Sequence, residues 1–389
     1  MTGIIKGPRR RATVALRAGL LATALVVPAA GAAWAGETIA DGDKSITVGL
    51  GLRASFTSVE DGAPDGKSRS ADFNLDSVRL YISGQLTPII KATFNTERDS
   101  NGHVEVLDGY AQLEPMDGVN LWVGRMLPPS DRANLDGPYY LSTWNYPGTV
   151  SQYPAKFAGR DDGATVWGKL FDKKLVYSVG AFEGHNRISG ASNQSDNLLY
   201  AGRVAYNFLD PEPDPAYYTS STYYGSVDVL TLAFAGQYQK DGVGTVGRHG
   251  DYGAWNVDGL FEKKLEGLGV VTLEGAYYQY DTGGVADVAP GFGGAGAFDN
   301  VGGLVQGKAY LVSGAFLFPA KLGWGQLQPT VRHQHFDADL TGISTSQTDV
   351  GLNYIISGHN ARVSADYVIT DTTGKPSGNA VVLGLQVQF

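Results

Sequence analysis

Ser45-Ile46-Thr47-Val48-Gly49-Leu50-Gly51-Leu52-Arg53-Ala54-Ser55-Phe56-Thr57-Ser58 is the stretch on which the fold turns. Ile46, Val48, Leu50, Leu52, Ala54 and Phe56 share one parity, and Thr47, Gly49, Gly51, Arg53, Ser55 and Thr57 share the other. Successive side chains of a strand point to opposite faces, so this reads as a strand with one apolar and one polar face. In a bilayer, an arginine on the apolar face near the midplane would cost roughly 2 to 4 kcal/mol. Parity therefore sends Arg53 to the wet side.

The pattern recurs along the chain. Val78, Leu80, Ile82 and Leu86 alternate with Arg79, Tyr81, Ser83 and Gln85; a turn at Thr87-Pro88 then leads into Lys91, Thr93, Asn95 and Glu97 opposite Ile90, Ala92 and Phe94. Further strands are expected near 104–114, 119–127, 162–170, 174–184, 197–208, 227–240, 251–263, 268–281, 306–318, 325–337, 347–357, 360–370 and 379–389. In the last, Val381, Leu383, Leu385, Val387 and the terminal Phe389 share a face against Val382, Gly384, Gln386 and Gln388, an ending typical of bacterial outer-membrane barrels. The expectation is an all-β fold: a transmembrane antiparallel β-barrel of about sixteen strands, an even number that returns both termini to one side.

Short turns such as Glu114–Gly118 and Ser357–His359 would then be periplasmic, and the long loops near 59–72, 128–160, 185–196 and 282–305 extracellular. Two places resist this scheme. The connection Leu209–Ser226 is long and rich in Pro and Tyr, yet falls on the periplasmic side. In strand 119–127, Leu121 and Val123 share parity with Arg125 unless a bulge intervenes.

The amino terminus carries an address. Lys6, Arg9, Arg10, Arg11 and Arg17 precede the apolar run Ala18–Val27, and Ala33-Trp34-Ala35 is a small-x-small cleavage site before Gly36. Residues 1–35 are therefore expected to be a cleaved signal peptide, with 36–389 as the barrel domain. Cleavage would leave 25 basic against 39 acidic residues, a net charge of −14. An acidic chain of this kind is a poor nucleic-acid ligand. With no cysteine, thiol catalysis, Cys-ligated zinc and CxxCH haem attachment are excluded. A mean hydropathy of −0.13 beside 53 Gly and 21 Tyr suits a barrel in which every second residue meets water.

Several stretches resemble the phosphate-selective porin O and P family. Gly351-Leu352-Asn353-Tyr354-Ile355-Ile356-Ser357-Gly358-His359-Asn360-Ala361 is similar to its late hairpin, as is Gln326-Leu327-Gln328-Pro329-Thr330-Val331-Arg332 before it. Val78-Arg79-Leu80 with Gly84-Gln85-Leu86-Thr87-Pro88, Leu107-Asp108-Gly109-Tyr110, Val123-Gly124-Arg125 with Pro128-Pro129, and Tyr177–Gly184 are similar in kind. The resemblance implies a sixteen-stranded, homotrimeric outer-membrane porin, with the third extracellular loop folded inward as a constriction. Outer-membrane lipids, lipopolysaccharide, and the barrel-assembly machinery engaged through Phe389 would be its partners. The family's phosphate-specific members carry a dense inward Arg ladder. Here Arg53, Arg79, Lys91, Arg203, Arg332 and Arg362 stand among Glu97, Asp108, Asp258, Glu274, Asp349 and Asp366, all of inward parity. That mixture dilutes any one-signed attraction for anions.

The loop Pro128–Asp162 is the expected functional element. Its prolines and aromatics, among them Tyr139, Tyr140, Trp144, Tyr146 and Tyr153, suit a stiff segment packed on an inner wall. Arg132, Lys156 and Arg160, with Asp136 opposite, are expected at the narrowest section. His333 and His335 have outward parity, and with Tyr277, Tyr310, Tyr354 and Tyr367 read as girdle or rim residues rather than a metal site. Gly291–Gly296 reads as a loop, not a phosphate cradle. No catalytic constellation or cofactor motif is present, so the function expected is passive diffusion of small hydrophilic solutes or ions. A phosphate or anion-specific channel is the alternative; a sleeve for a redox partner or a surface adhesin is a reading of another class.

Overall fold

The computed structural model describes residues 36–389 apart from 99–101, 152, 154–155, 185–189 and 286–303. The signal peptide, Pro154 and the stretch Gly291–Gly296 lie outside the described residues. The strands run β1 (Glu37–Asp41), β2 (Lys44–Val59), β3 (Asp72–Gln85), β4 (Ile90–Arg98), β5 (Val104–Met116) and β6 (Val119–Met126). The helical segment α1 (Arg132–Tyr140) comes next, then β7 (Asp161–Leu170), β8 (Leu175–Phe182), β9 (Leu199–Asn207), β10 (Val229–Thr245) and β11 (Arg248–Leu265). The chain ends with β12 (Gly269–Asp281), β13 (Gly307–Leu317), β14 (Lys321–Leu322), β15 (Gly325–Ala338), β16 (Ser344–Ser357), β17 (Ala361–Thr372) and β18 (Gly378–Gln388). Setting aside the short β1 and β14, sixteen strands pair antiparallel with their neighbours in sequence, and β18 pairs with β2 to close the cylinder, Arg53 opposite Gln386. Closure matters because an open edge in lipid would leave a row of backbone groups without partners.

At the seam the ladder has two occupants. β18 covers β2 as far as Gly51, and Phe389 exchanges backbone hydrogen bonds with Leu50 at 2.7 and 2.9 Å. β1 then takes up the same edge of β2, with Glu37 opposite Val48 and Asp41 opposite Lys44.

Burial follows parity, inside out relative to a soluble protein. Leu50, Phe94, Val331 and Val363 are exposed, Leu80 is half-buried, and Arg53, Arg79, Arg332 and Arg362 are buried. Tyr277, Tyr310 and Tyr367 stand outward and exposed, Tyr354 half-buried. His333 and His335 sit beside the Tyr310 ring, at 5.9 and 5.4 Å between centroids. Among the described residues no His/Cys/Asp/Glu cluster could hold a metal, and no helix is long and apolar enough to cross a membrane.

The ambiguous strand resolves without a bulge near Arg125. The β6–β7 register runs unbroken and pairs Arg125 with Asp162; the shift in β5–β6 falls at the other end, between Leu113 and Met116. Arg125 therefore shares its face with Val123. It is tolerated there because it sits at the rim, its Nε 2.7 Å from Asp162 Oδ1 and its Nη1 3.2 Å from the Val106 carbonyl.

Candidate functional site

The segment between β6 and β7 begins with Asp131, whose carboxylate accepts from the Asn134 N–H at 3.1 Å and caps α1. Gly137 breaks the helix at φ 61°, ψ 178°. The following Pro138 disfavours helical geometry at 137, and glycine takes the left-handed φ without a Cβ clash.

Before, within and beyond the helix, carbonyls of this segment are met by inner-face side chains. Arg53 Nη2 donates to the Trp144 carbonyl at 2.6 Å, Arg362 Nη1 to Leu141 at 2.5 Å, Arg332 Nη1 to Asn145 at 2.9 Å and Arg203 Nη1 to Ser130 at 3.1 Å. Asn353 and Gln386 donate to the Ser142 and Tyr139 carbonyls at 2.7 and 2.9 Å, and the Trp144 N–H donates to Asp366 at 2.9 Å. Hydrogen bonds from a charged donor are the stronger kind, and buried carbonyls without a partner are costly. The inward arginines thus serve as brackets for this segment.

Two wall glycines make room for its rings. A Cβ at Gly51 would lie 2.8 Å from the Tyr139 hydroxyl, and one at Gly384 2.4 Å from the Trp144 indole. Arg53 stands 4.1 Å over that indole, and Arg79 5.1 Å over Tyr139.

A second segment, between β9 and β10, meets the first. Arg132 binds Glu212 through both terminal nitrogens at 2.8 and 2.7 Å and donates to the Ser220 carbonyl at 3.0 Å. Thr219 Oγ1 donates to the Arg132 carbonyl at 3.0 Å, the Ser221 N–H to Tyr140 at 3.1 Å, and the Tyr217 hydroxyl to Leu127 at 2.8 Å. Trp122 anchors the segment to the wall, stacked on Tyr110 at 4.5 Å and touching Tyr217 and Tyr218 at 5.4 and 5.9 Å. This connection was conspicuous in the sequence by its length and by its Pro and Tyr; its aromatics were the signal that it docks.

Two adjoining spaces remain beside β3 to β5. A vestibule of about 1170 Å³ on the side of the chain termini is lined by Thr47, Lys91, Gln112, Glu114, Trp167 and Tyr218, among others. A space of about 600 Å³ shares Tyr81, Asn95, Pro215 and Tyr218 with it, and adds Arg79, Asp108, Asp136, Arg160 and Asp214.

The sequence-predicted charges are distributed as follows. Asp136 and Arg160 meet in the smaller space. Arg132 lies next to it, only 1% exposed and locked between Glu212 and Asp258. Lys156 is elsewhere: Asp162 at 2.5 Å and Glu183 at 3.6 Å hold its ammonium near Arg125 at the rim. On the wall, Arg79 pairs with Glu97 at 2.6 Å, Arg160 with Asp108 at 3.2 Å, Arg332 with Asp349 at 2.8 Å, Lys91 with Glu114 at 2.7 Å, and Arg203 Nη2 with Asp258 at 2.7 Å. Glu274 is buried on the inner face of β12. Arg53 and Arg362 have no carboxylate partner among the described ion pairs and are spent on loop carbonyls.

No family model matches the chain, and no curated protein matches it in sequence. Solved structures do match its shape. The anion-selective porin from Comamonas acidovorans aligns at TM-score 0.58 and 12% identity over 89% of this chain and 100% of that one. Salmonella typhi OmpF, in complex with daunomycin, aligns at 0.57 and 11% over 91% and 100%, and the in-vitro folded trimer form of OmpT from Vibrio cholerae at 0.55 and 14% over 89% and 99%. At such identities the likeness is one of architecture, and the architecture it identifies is the closed sixteen-stranded barrel of the outer-membrane porins.

Proposed function

We propose that the chain is an outer-membrane channel through which small hydrophilic solutes diffuse passively, narrowed by the β6–β7 loop. The observation that carries this reading is the reversed polarity of the cylinder: exposed aliphatics outside, and inside a polar wall bordering two adjoining spaces. In this reading the rim with the termini faces the periplasm, and residues 1–35 are removed on export. The resemblance to the phosphate-selective O and P family supports the same class, and the trimeric form of a fold neighbour supports a homotrimer. Lipopolysaccharide would meet the outer belt, and Phe389 would present the assembly signal.

A phosphate-specific pathway is not favoured, because the arginines that would form its ladder are paired with carboxylates or bound to loop carbonyls. A redox sleeve would need the space that the two internal segments occupy. The fold neighbours, the anion-selective porin among them, support a channel rather than an enzyme. The test is to fold the purified protein into planar bilayers and into liposomes loaded with osmolyte. Stepwise ion conductance, with swelling rates that fall as sugar size rises, is expected; a correctly folded barrel that conducts nothing would overturn the proposal.

A further inference from the structure

The smaller internal space has a charge balance of its own. Of the two cations that line it, Arg79 is neutralised by Glu97 and Arg160 by Asp108. That leaves Asp136, from the β6–β7 loop, and Asp214, from the β9–β10 connection, with no ion pair among the described residues. Consecutive serines hold them: Ser221 Oγ donates to Asp136 Oδ2 at 2.8 Å and Ser220 Oγ to Asp214 Oδ1 at 3.0 Å. The neighbouring cations are committed elsewhere. Arg132 is bound to Glu212 and Asp258, and Lys169 donates to the Asp214 backbone carbonyl at 2.7 Å from a separate cavity behind the connection. Burial, and then Glu274 on the facing wall, raises the Asp136 carboxyl well above its ordinary range, so that a bound cation is what would hold it ionised.

A second observation points to a ligand. Asp136 is 4% exposed, and its other oxygen, Oδ1, has no hydrogen-bond partner; Asn95 Oδ1, which borders the same space, has none either. A buried acceptor left without a donor costs about 1 to 3 kcal/mol. An ammonium, which brings three donors and no acceptor, supplies what both oxygens lack. A carboxylate brings only further acceptors, and a phosphate brings net negative charge against two carboxyl groups.

Resting on the reading of the chain as a channel, we propose that Asp136 and Asp214, with Asn95, form a selectivity site for solutes bearing a positively charged nitrogen, built jointly by the constriction loop and the periplasmic connection. The site gives this channel a cation preference although every inward strand arginine suggests the opposite. The carboxylates are placed by two segments that approach from opposite rims, so neither strand parity nor loop length alone reveals them.

The experiment measures reversal potentials of the full chain in planar bilayers under a potassium chloride gradient, then repeats them with ammonium and ethanolammonium chloride. Cation-selective potentials are expected for the native protein. In Asp136→Asn/Asp214→Asn the cation-to-anion permeability ratio should fall at least about fivefold, the scale of removing even one charge a few ångströms from the permeating ion in a water-like dielectric. Asp136→Glu, which keeps the charge, should retain the preference and shows that the site tolerates substitution. A conducting double variant with an unchanged ratio, or a native channel that prefers chloride, would overturn this inference and leave the channel reading intact. Absence of any conductance in the native protein would overturn both.

Discussion

Replacing Gly384 by alanine tests the docking of the β6–β7 loop through a single added atom. Its Cβ would stand 2.4 Å from Cδ2 and Cε3 of Trp144, more than an ångström inside the usual carbon–carbon separation. Gly384 is clamped between Ser55 and Ser364 in the closed sheet, so the wall has little freedom and the indole must move. Moving it disturbs the N–H bond to Asp366, the carbonyl bond from Arg53 and the guanidinium stacked on the ring. Overpacking of this kind costs about 1 to 3 kcal/mol. At about 2 kcal/mol, the balance between docked and displaced loop moves roughly thirtyfold. Single-channel recordings of the variant are expected to flicker between the native conductance and a larger one. Gly384→Ala combined with Trp144→Ala removes the clash and should give a steady, larger conductance. A Gly384→Ala channel as quiet and as narrow as the native one would refute the placement of Trp144 against β18.

Three further predictions follow from the same geometry. Phe94→Arg puts a charge on the lipid-facing side at a cost of roughly 2 to 4 kcal/mol if near the midplane, whereas Thr93→Arg puts it in the vestibule; refolding yields, read from the mobility shift of heated against unheated protein, should fall only for the first. Neutralising Arg132, Lys156 and Arg160 together is expected to move the reversal potential toward cations. Lys156→Gln alone should leave it unchanged, because that ammonium is already held by Asp162 and Glu183. The Asp214 carboxyl is pushed up to about 6 by burial and by Glu212 beside it. Burial also acts to raise Glu212, but the Arg132 guanidinium outweighs it and holds that carboxyl at about 2. Asp214 is therefore ionised above about pH 6 and neutral below, while Glu212 stays charged. Cation preference should weaken as pH falls through that range, with Arg132, Lys169, Ser220 and Tyr223 facing the group throughout, and Asp214→Asn should remove the step near pH 6 while Asp136, raised by burial and by Glu274, still titrates.

The barrel was legible because its code is short-range. A period of two, with arginine confined to one parity, assigns both face and membrane direction from a dozen residues, and Arg53, Arg79, Arg332 and Arg362 all lie buried where that code sends them. Strand 119–127 failed the code because depth matters as well as face: Arg125 is outward but at the rim, where Asp162 neutralises it. The internal segments obey no period. Arg53, Arg203, Arg332 and Arg362 read in the sequence as inward cations diluted by carboxylates, but each also donates to a backbone carbonyl of the loop, which has no letter of its own. Gly51 and Gly384 were the available hint, since a missing side chain on an inward position marks a place where something else comes close. The pairing of Asp136 with Ser221 depends on two segments 85 residues apart finding the same space, and Ser220 beside it holds Asp214 within its own connection.

The seam holds one more consequence. Where β18 stops, at Phe389 opposite Leu50, β1 begins, with Glu37 opposite Val48; both run antiparallel to β2 along the same edge. The position opposite Gly49 is the one Gly36 would fill. With residues 1–35 removed, as proposed above, the two ends would read as a single strand with a nick in it, splinted by β2. A peptide bond from Phe389 to Gly36 would therefore seal the strand in register, and the chain could be opened at another hairpin without changing a pairing. The order in which the strands are written is in this sense a convention of the gene: the cylinder itself has no first strand.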